Sequence, residues 1–463
     1  MKNMEEYLQE LRSKKVAVIG IGVSNLPLIK LLNKAGVSVT ACDRKEKNEL
    51  AFYADKLERH GVTLSLGKDY LTSLDEADVI FRTPGLRPDV PELLAATERG
   101  AVLTSEMEMF FDVCPAHIIA ITGSDGKTTT TTLISELLKA AGKKVFLGGN
   151  IGNPLLPQVG EMTADDYAVV ELSSFQLMTM RKSAPVSVVT NLSPNHLDVH
   201  KSYKEYVEAK TNIFRYQDSD GIVVLNADCE EDVRVSELAK GKIRWFSRQK
   251  SVKDGAYLSG DTVILTQNGK ETPVLNVRDI LLPGVHNVEN YMAAIAATAD
   301  HISDPAIVQK VASTFPGVPH RLEMIRESRG VRYYNDSIAS SPSRTIAGLR
   351  SFSQKVILVA GGKDKGIPYD AIGPEICEHV KALYLTGMTA GKIKKAVTDT
   401  PGYNKKELPI YVFDDFEATV KAAAEKAKSG DIVLLSPAST SFDRFRNFEH
   451  RGDTFREIVK KLK

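Results

Sequence analysis

Short apolar runs that end in glycine or a polar residue alternate with helix-period segments along most of this chain. The run VAVIGIG (16–22) precedes an amphipathic segment that ends near Gly36, and a second run, VSVTACD (37–43), follows it. Apolar strands separated by amphipathic helices are typical of parallel sheets with crossover helices. The alternation therefore predicts an α/β fold.

The alternation recurs in three blocks, which predict three domains. A second block begins at HIIAITG (117–123), and a third follows STFPGVPHR (313–321), whose prolines and glycine are typical of a linker. Between about 243 and 282 the pattern changes to short strands with turn residues, so we expect a small antiparallel region there. The 463 residues suit about three domains. We place them at residues 1–106, 107–317 and 318–463, each on a mostly parallel sheet.

Composition narrows the class of protein. Lys plus Arg total 60 and Asp plus Glu total 59, a balance that argues against a broad basic surface for nucleic acid. The four cysteines form no CxxC pair, so a disulfide framework or zinc site is not expected and a reducing cytoplasm fits. The first residues predict a short charged helix rather than a signal peptide. No apolar run approaches the ~20 residues that span a bilayer, so membrane insertion is not expected.

The stretch TGSDGKTT (122–129) has the parts of a phosphate-binding loop, although its spacing is unusual. The common loop has a glycine six residues before its lysine, whereas Ile121 holds that place here. The stretch still follows a buried strand and opens a helix, where N–H groups and the helix dipole favour an anion. Gly123 and Gly126 allow a tight curl, Lys127 offers a charge, and Thr128 offers a hydroxyl to Mg²⁺. The alternative is an ordinary strand-to-helix turn with a solvated lysine.

An acidic residue ends a neighbouring predicted strand. Glu171 closes the apolar run YAVVE, where a carboxylate could hold Mg²⁺ against bound phosphates. Strand ends often carry acids, so Glu171 supports a nucleotide site only together with the loop.

The first domain opens with GIGVSN (20–25), which begins like the dinucleotide fingerprint GxGxxG. Asn25 replaces its third glycine, and Asp43 ends the next strand, as a ribose-binding acid does. The missing glycine weakens an NAD site. A turn without ligand and a site for another diphosphate, such as a UDP sugar, both remain compatible.

Nine segments, taken together and in order, resemble the Mur ligases over essentially the whole chain. They are TGSDGKTTTT, GGNIGNP (148–154), VVELSSFQL around Glu171, TNLSPNHLDVH (190–200), YVEAKTNIF around Lys210, GVHNVENYMAA (284–294), PHRLE (319–323), YNDSIASSP (334–342) and LLSPASTSFDRFRNFEHRGDTF (434–455). This family uses the shorter-spaced loop TGxxGK[ST]. The resemblance implies a Rossmann-like first domain, a P-loop ATPase-like central domain and a Rossmann-like third domain.

Within the family, VVELSSFQL and the SPAS-SFD-F-NFE-RG tail resemble the branch that adds D-glutamate to UDP-N-acetylmuramoyl-L-alanine, and the DNPR stretch of the diaminopimelate- or lysine-adding branch is absent. The resemblance implies an ATP-dependent ligase of peptidoglycan synthesis that acts in the cytoplasm through an acyl phosphate. It also implies two Mg²⁺ ions, small-molecule substrates and a monomer.

The resemblance implies site residues, which are the residues of this chain at the positions of the family's motifs. The metal ligands would be Thr128, Glu171, His196 and a carbamylated Lys210. From the residues alone, Lys210 would be a helix-surface lysine and His196 a structural loop histidine. The catalytic positions would be Lys127, Glu171, His196 and Lys210. ATP would contact Thr122, Gly123, Ser124, Asp125, Gly126, Lys127, Thr128, Thr129, Asn290, Arg321 and Asp336.

The substrate positions follow in the same way. D-Glutamate carries two carboxylates, which call for cations and hydroxyl or backbone donors. From the residues alone, Ser441 would form a turn and Phe448 would pack in the core. The positions matching D-glutamate contacts are Ser340, Lys365, Ser441, Phe442 and Phe448. Those matching contacts to the UDP sugar are Ser24, Asp43, Arg44, Gly85, Asn150, Ser173 and Gln176.

One position departs from the family pattern. Ile338 stands in NDSIASS where the family often has a lysine, as in NDSKAT. Arg344 or Lys365 could supply the missing cation, and we expect the ligand contacts of this corner to differ from those of relatives.

Three other functions remain compatible with the sequence. A different ligase of the same architecture, including a folate polyglutamate-type enzyme, would differ in its amino acid. A nucleotide-binding switch would bind ATP without turnover that depends on an acceptor. An NAD-dependent oxidoreductase would rest on GIGVSN alone.

Overall fold

The computed structural model describes residues 2–50, 52–302 and 304–462. Within them the chain forms three sheets, of five, nine and six strands, each mostly parallel. The predicted α/β fold of three domains is thus confirmed. By internal contacts the chain divides into two compact units: one runs to Val277 and includes Glu289–Val311, and the other comprises Arg278–Val288 and Ala312–Lys463.

The first sheet has the strand order β3-β2-β1-β4-β5, with every neighbour parallel. The order reverses at β1, so the carboxyl ends of β1 and β4 flank the crevice where such sheets bind ligands. Its strands are β1 Lys15–Ile19, β2 Ser38–Asp43, β3 Thr63–Leu66, β4 Val79–Phe81 and β5 Val102–Thr104. The helices are α1 Met4–Leu11, α2 Asn25–Lys34, α3 Lys47–Leu50, α4 Phe52–Arg59, α5 Pro91–Glu98 and α6 Glu106–Val113.

The second sheet has the order β14-β13-β12-β11-β10-β9-β6-β8-β7. Its strands are β6 His117–Thr122, β7 Val145–Gly149, β8 Tyr167–Glu171, β9 Val186–Val189, β10 Ile222–Asn226, β11 Lys242–Ser247, β12 Gly255–Ser259, β13 Thr262–Gln267 and β14 Lys270–Asn276. The predicted antiparallel region is confirmed in β12–β14, and it continues the main sheet because β11 and β12 are parallel neighbours. The helices are α7 Lys127–Ala140, α8 Ser174–Leu177, α9 Tyr203–Arg215, α10 Glu230–Val235, α11 Val285–Thr298 and α12 Pro305–Thr314.

The third sheet has the order β15-β16-β20-β17-β18-β19, and only the β15–β16 pair is antiparallel. Its strands are β15 Glu323–Ser328, β16 Val331–Asn335, β17 Val356–Ala360, β18 Val380–Leu385, β19 Ile410–Val412 and β20 Ile432–Leu435. The helices are α13 Pro342–Leu349, α14 Ile372–His379, α15 Ala390–Thr398, α16 Phe416–Lys426 and α17 Phe448–Lys461. Apolar clusters line both faces of the central strands, as crossover helices require.

Among the described residues, none of the helices has the length and apolar character that crossing a membrane requires.

Candidate nucleotide and substrate sites

The predicted phosphate loop joins β6 to α7, and two glycines fix its shape. Gly123 has φ +144° and Gly126 has φ +79°, both outside the range that other residues adopt readily. A Cβ at Gly123 would lie 1.9 Å from Thr190 Oγ1, and one at Gly126 would lie 2.3 Å from Asn290 Oδ1. Both positions therefore require glycine for two reasons. Their φ angles disfavour other residues, and neighbouring side chains leave no room for a Cβ.

The loop is anchored to the segment that follows β9. The N–H of Ser124 donates to the Asn191 carbonyl at 2.8 Å, and the N–H of Asp125 donates to Asn191 Oδ1 at 3.1 Å. The Ser124 hydroxyl also lies 2.8 Å from the Tyr206 hydroxyl of α9. These bonds hold the loop rigidly over the carboxyl ends of β6 and β9, the edge at which parallel sheets bind ligands.

Two lysine ammonium groups meet at this loop. Lys127 Nζ donates to the carbonyls of Gly123 and Ser124 at 2.9 and 3.0 Å. Lys210 Nζ donates to the same Gly123 carbonyl at 2.7 Å and to Thr122 Oγ1 at 3.2 Å. The loop therefore concentrates positive charge where a phosphate would bind.

Lys210 is buried, so the surface position inferred from its residue type alone is wrong. Only 2% of the residue is exposed, and its ammonium lies 4.9 Å from the centre of the Tyr206 ring. Burial, followed by the charge of Lys127, lowers the pKa of Lys210 well below its ordinary value. The residue pattern of α9 did not reveal this burial, because the Lys210 side chain points toward the phosphate loop rather than toward solvent.

Glu171 ends β8 as predicted and is 1% exposed. Its Oε1 accepts a hydrogen bond from Asn150 Nδ2 at 2.9 Å, and its backbone carbonyl accepts from the Asn150 N–H at 2.8 Å. Its Oε2 is buried and has no hydrogen-bond partner among the described residues. A buried carboxylate oxygen without a partner is costly unless a ligand completes it.

His196 lies in a tight turn after β9, with φ +54°. The N–H groups of Val199 and His200 both donate to its carbonyl, at 3.1 and 2.9 Å. Its ring packs edge-on against Phe175, with 5.1 Å between the ring centres. The backbone conformation is unusual for a residue other than glycine, and such positions cluster at functional sites.

The remaining predicted ATP contacts of the first unit surround the loop. Asn290, in α11, is buried, and its Oδ1 accepts from Thr130 Oγ1 at 3.2 Å. Thr128 is partly exposed at the start of α7, and Thr129 is buried. Thr122 is also buried, and its hydroxyl donates to the Leu172 carbonyl at 2.8 Å.

In the first domain, the residue that replaces the third fingerprint glycine is bonded to the strand before the turn. Asn25 is buried, and its Nδ2 donates to the carbonyl of Ile19, the last residue of β1, at 2.8 Å. Asp43 binds the same turn, because its Oδ2 accepts from the Ile21 N–H at 2.7 Å. The Asn25 side chain thus ties the start of α2 to the end of β1.

The other predicted UDP-sugar positions are of two kinds. Three lie exposed on loops of the first domain: Ser24, Arg44 and Gly85. Ser173 and Gln176 form a capping box at α8, in which Gln176 Oε1 accepts from the Ser173 N–H at 2.9 Å and the Gln176 N–H donates to Ser173 Oγ at 3.3 Å. The Ser173 hydroxyl also donates to Gln176 Oε1 at 2.9 Å, so these two side chains are bonded to each other.

In the third domain, Asp336 follows β16 and is deeply buried. Its Oδ2 accepts from the Ser436 hydroxyl at 2.7 Å, and its Oδ1 accepts from the Leu322 N–H at 3.3 Å. Burial raises the pKa of Asp336 to about 7, against the opposing charge of Arg321, which is partly buried. Ser340 lies in the turn that follows, where its N–H donates to the Ile338 carbonyl at 2.8 Å.

Four of the predicted D-glutamate positions, Ser340, Lys365, Ser441 and Phe442, lie on loops at the carboxyl ends of strands of the same sheet. The loop that holds Lys365 pairs with the loop after β20 through the Lys363 N–H and the Thr440 carbonyl, 2.8 Å apart. Ser441 is buried in a turn, as its residue type suggests, and Phe442 is 60% exposed. Lys365 itself is exposed.

Phe448 is only half-buried, so packing in the core, as inferred from its residue type alone, is wrong. It begins α17, and its ring lies edge-on to His320 with 6.0 Å between ring centres. Its carbonyl accepts a hydrogen bond from Ser337 Oγ at 2.8 Å. That bond brings the Asp336 turn and the start of α17 together.

Sequence patterns did not single out Arg451, although it joins two of these loops. Its guanidinium is buried and donates to the carbonyls of Ser337 and Ser439 at 2.8 and 3.0 Å. Its Nε also donates to Ser337 Oγ at 3.0 Å. These hydrogen-bond partners are uncharged, so no charge pairing in the sequence could have signalled the role.

Three family models match the chain in order. They are described as "Mur ligase MurD-like, N-terminal domain" over residues 14–105, "Mur ligase middle domain" over 121–298, and "Mur ligase, glutamate ligase domain" over 320–439.

Curated relatives match almost end to end. The UDP-N-acetylmuramoylalanine–D-glutamate ligase of Acetivibrio thermocellus is 52% identical over 99% of both chains. The protein of that name from Clostridium novyi is 50% identical over 100% of both chains. Among solved structures, the UDP-N-acetylmuramate-alanine ligase of Thermotoga maritima has 19% identity and a TM-score of 0.57, covering 97% of this chain and 100% of its own, which is evidence for the fold alone.

Proposed function

We propose that this chain, which belongs to the Mur ligase family, uses ATP to join D-glutamate to UDP-N-acetylmuramoyl-L-alanine in peptidoglycan synthesis. The observation that carries the proposal is the end-to-end similarity to relatives named for this reaction. The phosphate loop with its two lysines supports the use of ATP, because it offers an anion both charge and fixed donors.

The chemistry requires activation of a carboxylate, which is a poor electrophile. The alanyl carboxylate oxygen attacks the γ-phosphorus of ATP, the bond to the bridging oxygen breaks, and ADP leaves. The D-glutamate amine then attacks the acyl carbon, loses a proton and expels inorganic phosphate. Both steps need positioning and charge neutralisation more than covalent help, and Lys127 supplies a cation at the phosphate loop.

The residues around the loop fit the magnesium that the family implies. Glu171 offers a buried carboxylate oxygen without a partner, and Thr128 offers a partly exposed hydroxyl. No group of three or more His, Cys, Asp or Glu side chains among the described residues is placed to hold a metal by itself. We therefore propose that Thr128 and Glu171 would hold one Mg²⁺ ion and that His196 and a carbamylated Lys210 would hold a second. Bound Mg²⁺ would neutralise charge on the transferring phosphoryl group.

We further propose that Lys210 carries a carbamate. An unmodified ammonium at this depth lies next to a second cation, since both lysines bind the Gly123 carbonyl. Carbamylation would replace the buried cation with an anion, which Lys127 and a metal ion would stabilise. Carbon dioxide reacts with the neutral amine, the form that this environment favours.

We assign the UDP sugar to the first domain and D-glutamate to the third, from the positions that match substrate contacts in the family. Exposed Ser24, Arg44 and Gly85 suit a soluble diphosphate sugar, and Asp43 is bonded to the turn after β1 that leads to Ser24. Lys365, Ser441 and the exposed ring of Phe442 suit an amino acid with two carboxylates. The cytoplasmic location and the monomeric state stay predictions.

Product analysis tests the proposal. The chain is incubated with ATP, Mg²⁺, UDP-N-acetylmuramoyl-L-alanine and D-glutamate, and the nucleotide product is identified by mass spectrometry. We expect UDP-N-acetylmuramoyl-L-alanine extended by one glutamyl residue. The Lys127→Ala variant should form none of this product. Absence of that product with the unmodified chain, while ATP still binds, would overturn the proposal in favour of a nucleotide-dependent switch.

A further inference from the structure

One segment of the first domain, residues 82–89, holds the His196 turn from two sides. Arg82 Nη2 donates to the Phe175 carbonyl at 2.7 Å, and the Phe175 ring packs against His196. Arg87 Nη1 donates to the Val199 carbonyl at 2.6 Å. The Val199 N–H donates to the His196 carbonyl and closes the turn that carries the histidine. Arg87 is therefore bonded directly to the residue that closes this turn.

Arg87 is also fixed to the start of α9. Its Nη2 donates to Glu205 Oε1 at 2.8 Å and its Nη1 to Glu205 Oε2 at 3.2 Å, which is a two-point contact. Its Nε donates to Asp89 Oδ1 at 2.8 Å, and Asp89 also pairs with Lys201. The Arg87 side chain is only 22% exposed. Networks with two-point geometry are the ion pairs that hold structure, whereas isolated exposed pairs contribute little.

The hydrogen-bond network of Arg87 joins segments that lie beside two different predicted ligand sites. Gly85, a predicted UDP-sugar contact, is two residues before Arg87. Glu205 lies in the first turn of α9, and the same helix brings Tyr206 to Ser124 and Lys210 to the Gly123 carbonyl. A shift of the 82–89 segment would therefore move α9 and the His196 turn.

We propose that Arg87 is a positioning residue that couples the UDP-sugar segment to the phosphate-loop side of the reaction; this inference rests on the function proposed above. The hydrogen bonds of the Arg87 side chain go to Asp89, Val199 and Glu205, which are not among the predicted ligand-binding positions. Arg87 acts through Val199 and Glu205, so its loss would misplace groups that must be aligned for phosphoryl transfer. Misplacements of about 1 Å are enough to reduce turnover strongly.

Steady-state kinetics of Arg87→Ala test this inference, with phosphate release followed at varied ATP, UDP-sugar substrate and D-glutamate. We expect kcat to fall about 10-fold or more, with the KM for ATP within about 2-fold of the unmodified value. Arg99→Ala is the matched control, because Arg99 forms an exposed ion pair with Asp75 in the same domain. It should leave kcat unchanged.

A double-variant cycle separates positioning from general loss of stability. Glu205→Gln should lower kcat in the same direction, and Arg87→Ala combined with Glu205→Gln should be no slower than the slower single variant. If Arg87→Ala does not fold, Arg87→Lys and Glu205→Gln replace it, since lysine keeps the charge but loses the two-point contact.

The outcomes distinguish this inference from the proposed function. A kcat for Arg87→Ala, or for its replacements, within about 2-fold of the Arg99→Ala value would overturn the coupling. Loss of thermal stability without loss of kcat would also overturn it. Failure of the unmodified chain to release phosphate in response to D-glutamate would instead overturn the proposed function.

Discussion

Lys127 and Lys210 donate to the same backbone oxygen, that of Gly123, with Nζ–O distances of 2.9 and 2.7 Å. One lysine comes from the phosphate loop and the other from α9, 83 residues later in the sequence. Two ammonium groups at one carbonyl repel each other, and the buried one loses more hydration. The pair therefore favours either a bound anion, such as a phosphate of ATP, or chemical conversion of Lys210 to an anion.

Conversion of Lys210 is directly observable. With ¹³C-labelled bicarbonate, we expect a carbamate carbonyl signal in the ¹³C NMR spectrum of the unmodified chain. Lys210→Ala should lose that signal and nearly all activity. Lys204→Ala, an exposed lysine of the same helix, should keep both. Full activity of Lys210→Ala that is insensitive to bicarbonate would contradict the carbamate.

The phosphate loop should tolerate no side chain at Gly126. Gly126→Ala would place a Cβ 2.3 Å from Asn290 Oδ1 at φ +79°. Gly142→Ala is the control, because Gly142 has φ +78° and no heavy atom within 4 Å of the added Cβ. We expect both variants to lose about 1 kcal/mol of stability from backbone strain, and Gly126→Ala alone to lose ATP affinity in calorimetry. Equal ATP affinity in both variants would show that the loop does not bind ATP through this geometry.

Glu106 should make the free energy of unfolding depend on pH. It is 7% exposed, its buried Oε1 has no hydrogen-bond partner within the described part of the chain, and burial raises its pKa to about 7. A raised carboxyl pKa contributes stability that is fully present below the ordinary value near 4.5 and is lost as pH rises through about 7. Glu106→Gln should remove this loss.

The pH-dependent difference is measured by urea unfolding of Glu106→Gln and the unmodified chain at several pH values between about 5 and 8. The stability of the variant relative to the unmodified chain should rise with pH across this range. Glu98→Gln, at an exposed position, should show no such trend. A relative stability of Glu106→Gln that is constant with pH would contradict the raised pKa.

A lysine at position 338 should change the binding of ATP or D-glutamate. The Ile338 carbonyl lies 3.4 Å from Arg344 Nη1, so a cation already approaches this turn. Ile338→Lys would add a second one, and we expect a changed KM for ATP or D-glutamate. Ser343→Lys adds the same charge at an exposed position of α13 and should change neither. Unchanged KM values for both substrates in Ile338→Lys would count against a role for this position.

Sequence periodicity predicted the sheets well because it reports local structure. The runs from VAVIGIG to GDIVLLSPAS are strands of the three sheets, and the turn-rich region after residue 243 is largely antiparallel. Glu171 at the end of β8 was predictable for the same reason, since strand ends meet at one edge of a parallel sheet.

Features that depend on contacts between distant segments could not be predicted in this way. The depth of Lys210 depends on β6 and the loop that follows it, far earlier in the sequence. Arg87 binds the Val199 carbonyl and Arg451 binds the Ser337 carbonyl, each more than 100 residues away in the sequence. Backbone oxygens are present at every residue, so the sequence does not mark which ones a side chain binds.

The central claim is that D-glutamate is the amino acid that this chain ligates. Phosphate release is measured with ATP, Mg²⁺ and UDP-N-acetylmuramoyl-L-alanine while D-glutamate, L-glutamate, L-lysine, L-alanine and meso-diaminopimelate are added in turn, with Lys127→Ala as the inactive control. The account predicts release that depends on D-glutamate alone. Release that depends on another of these amino acids, and not on D-glutamate, would contradict it.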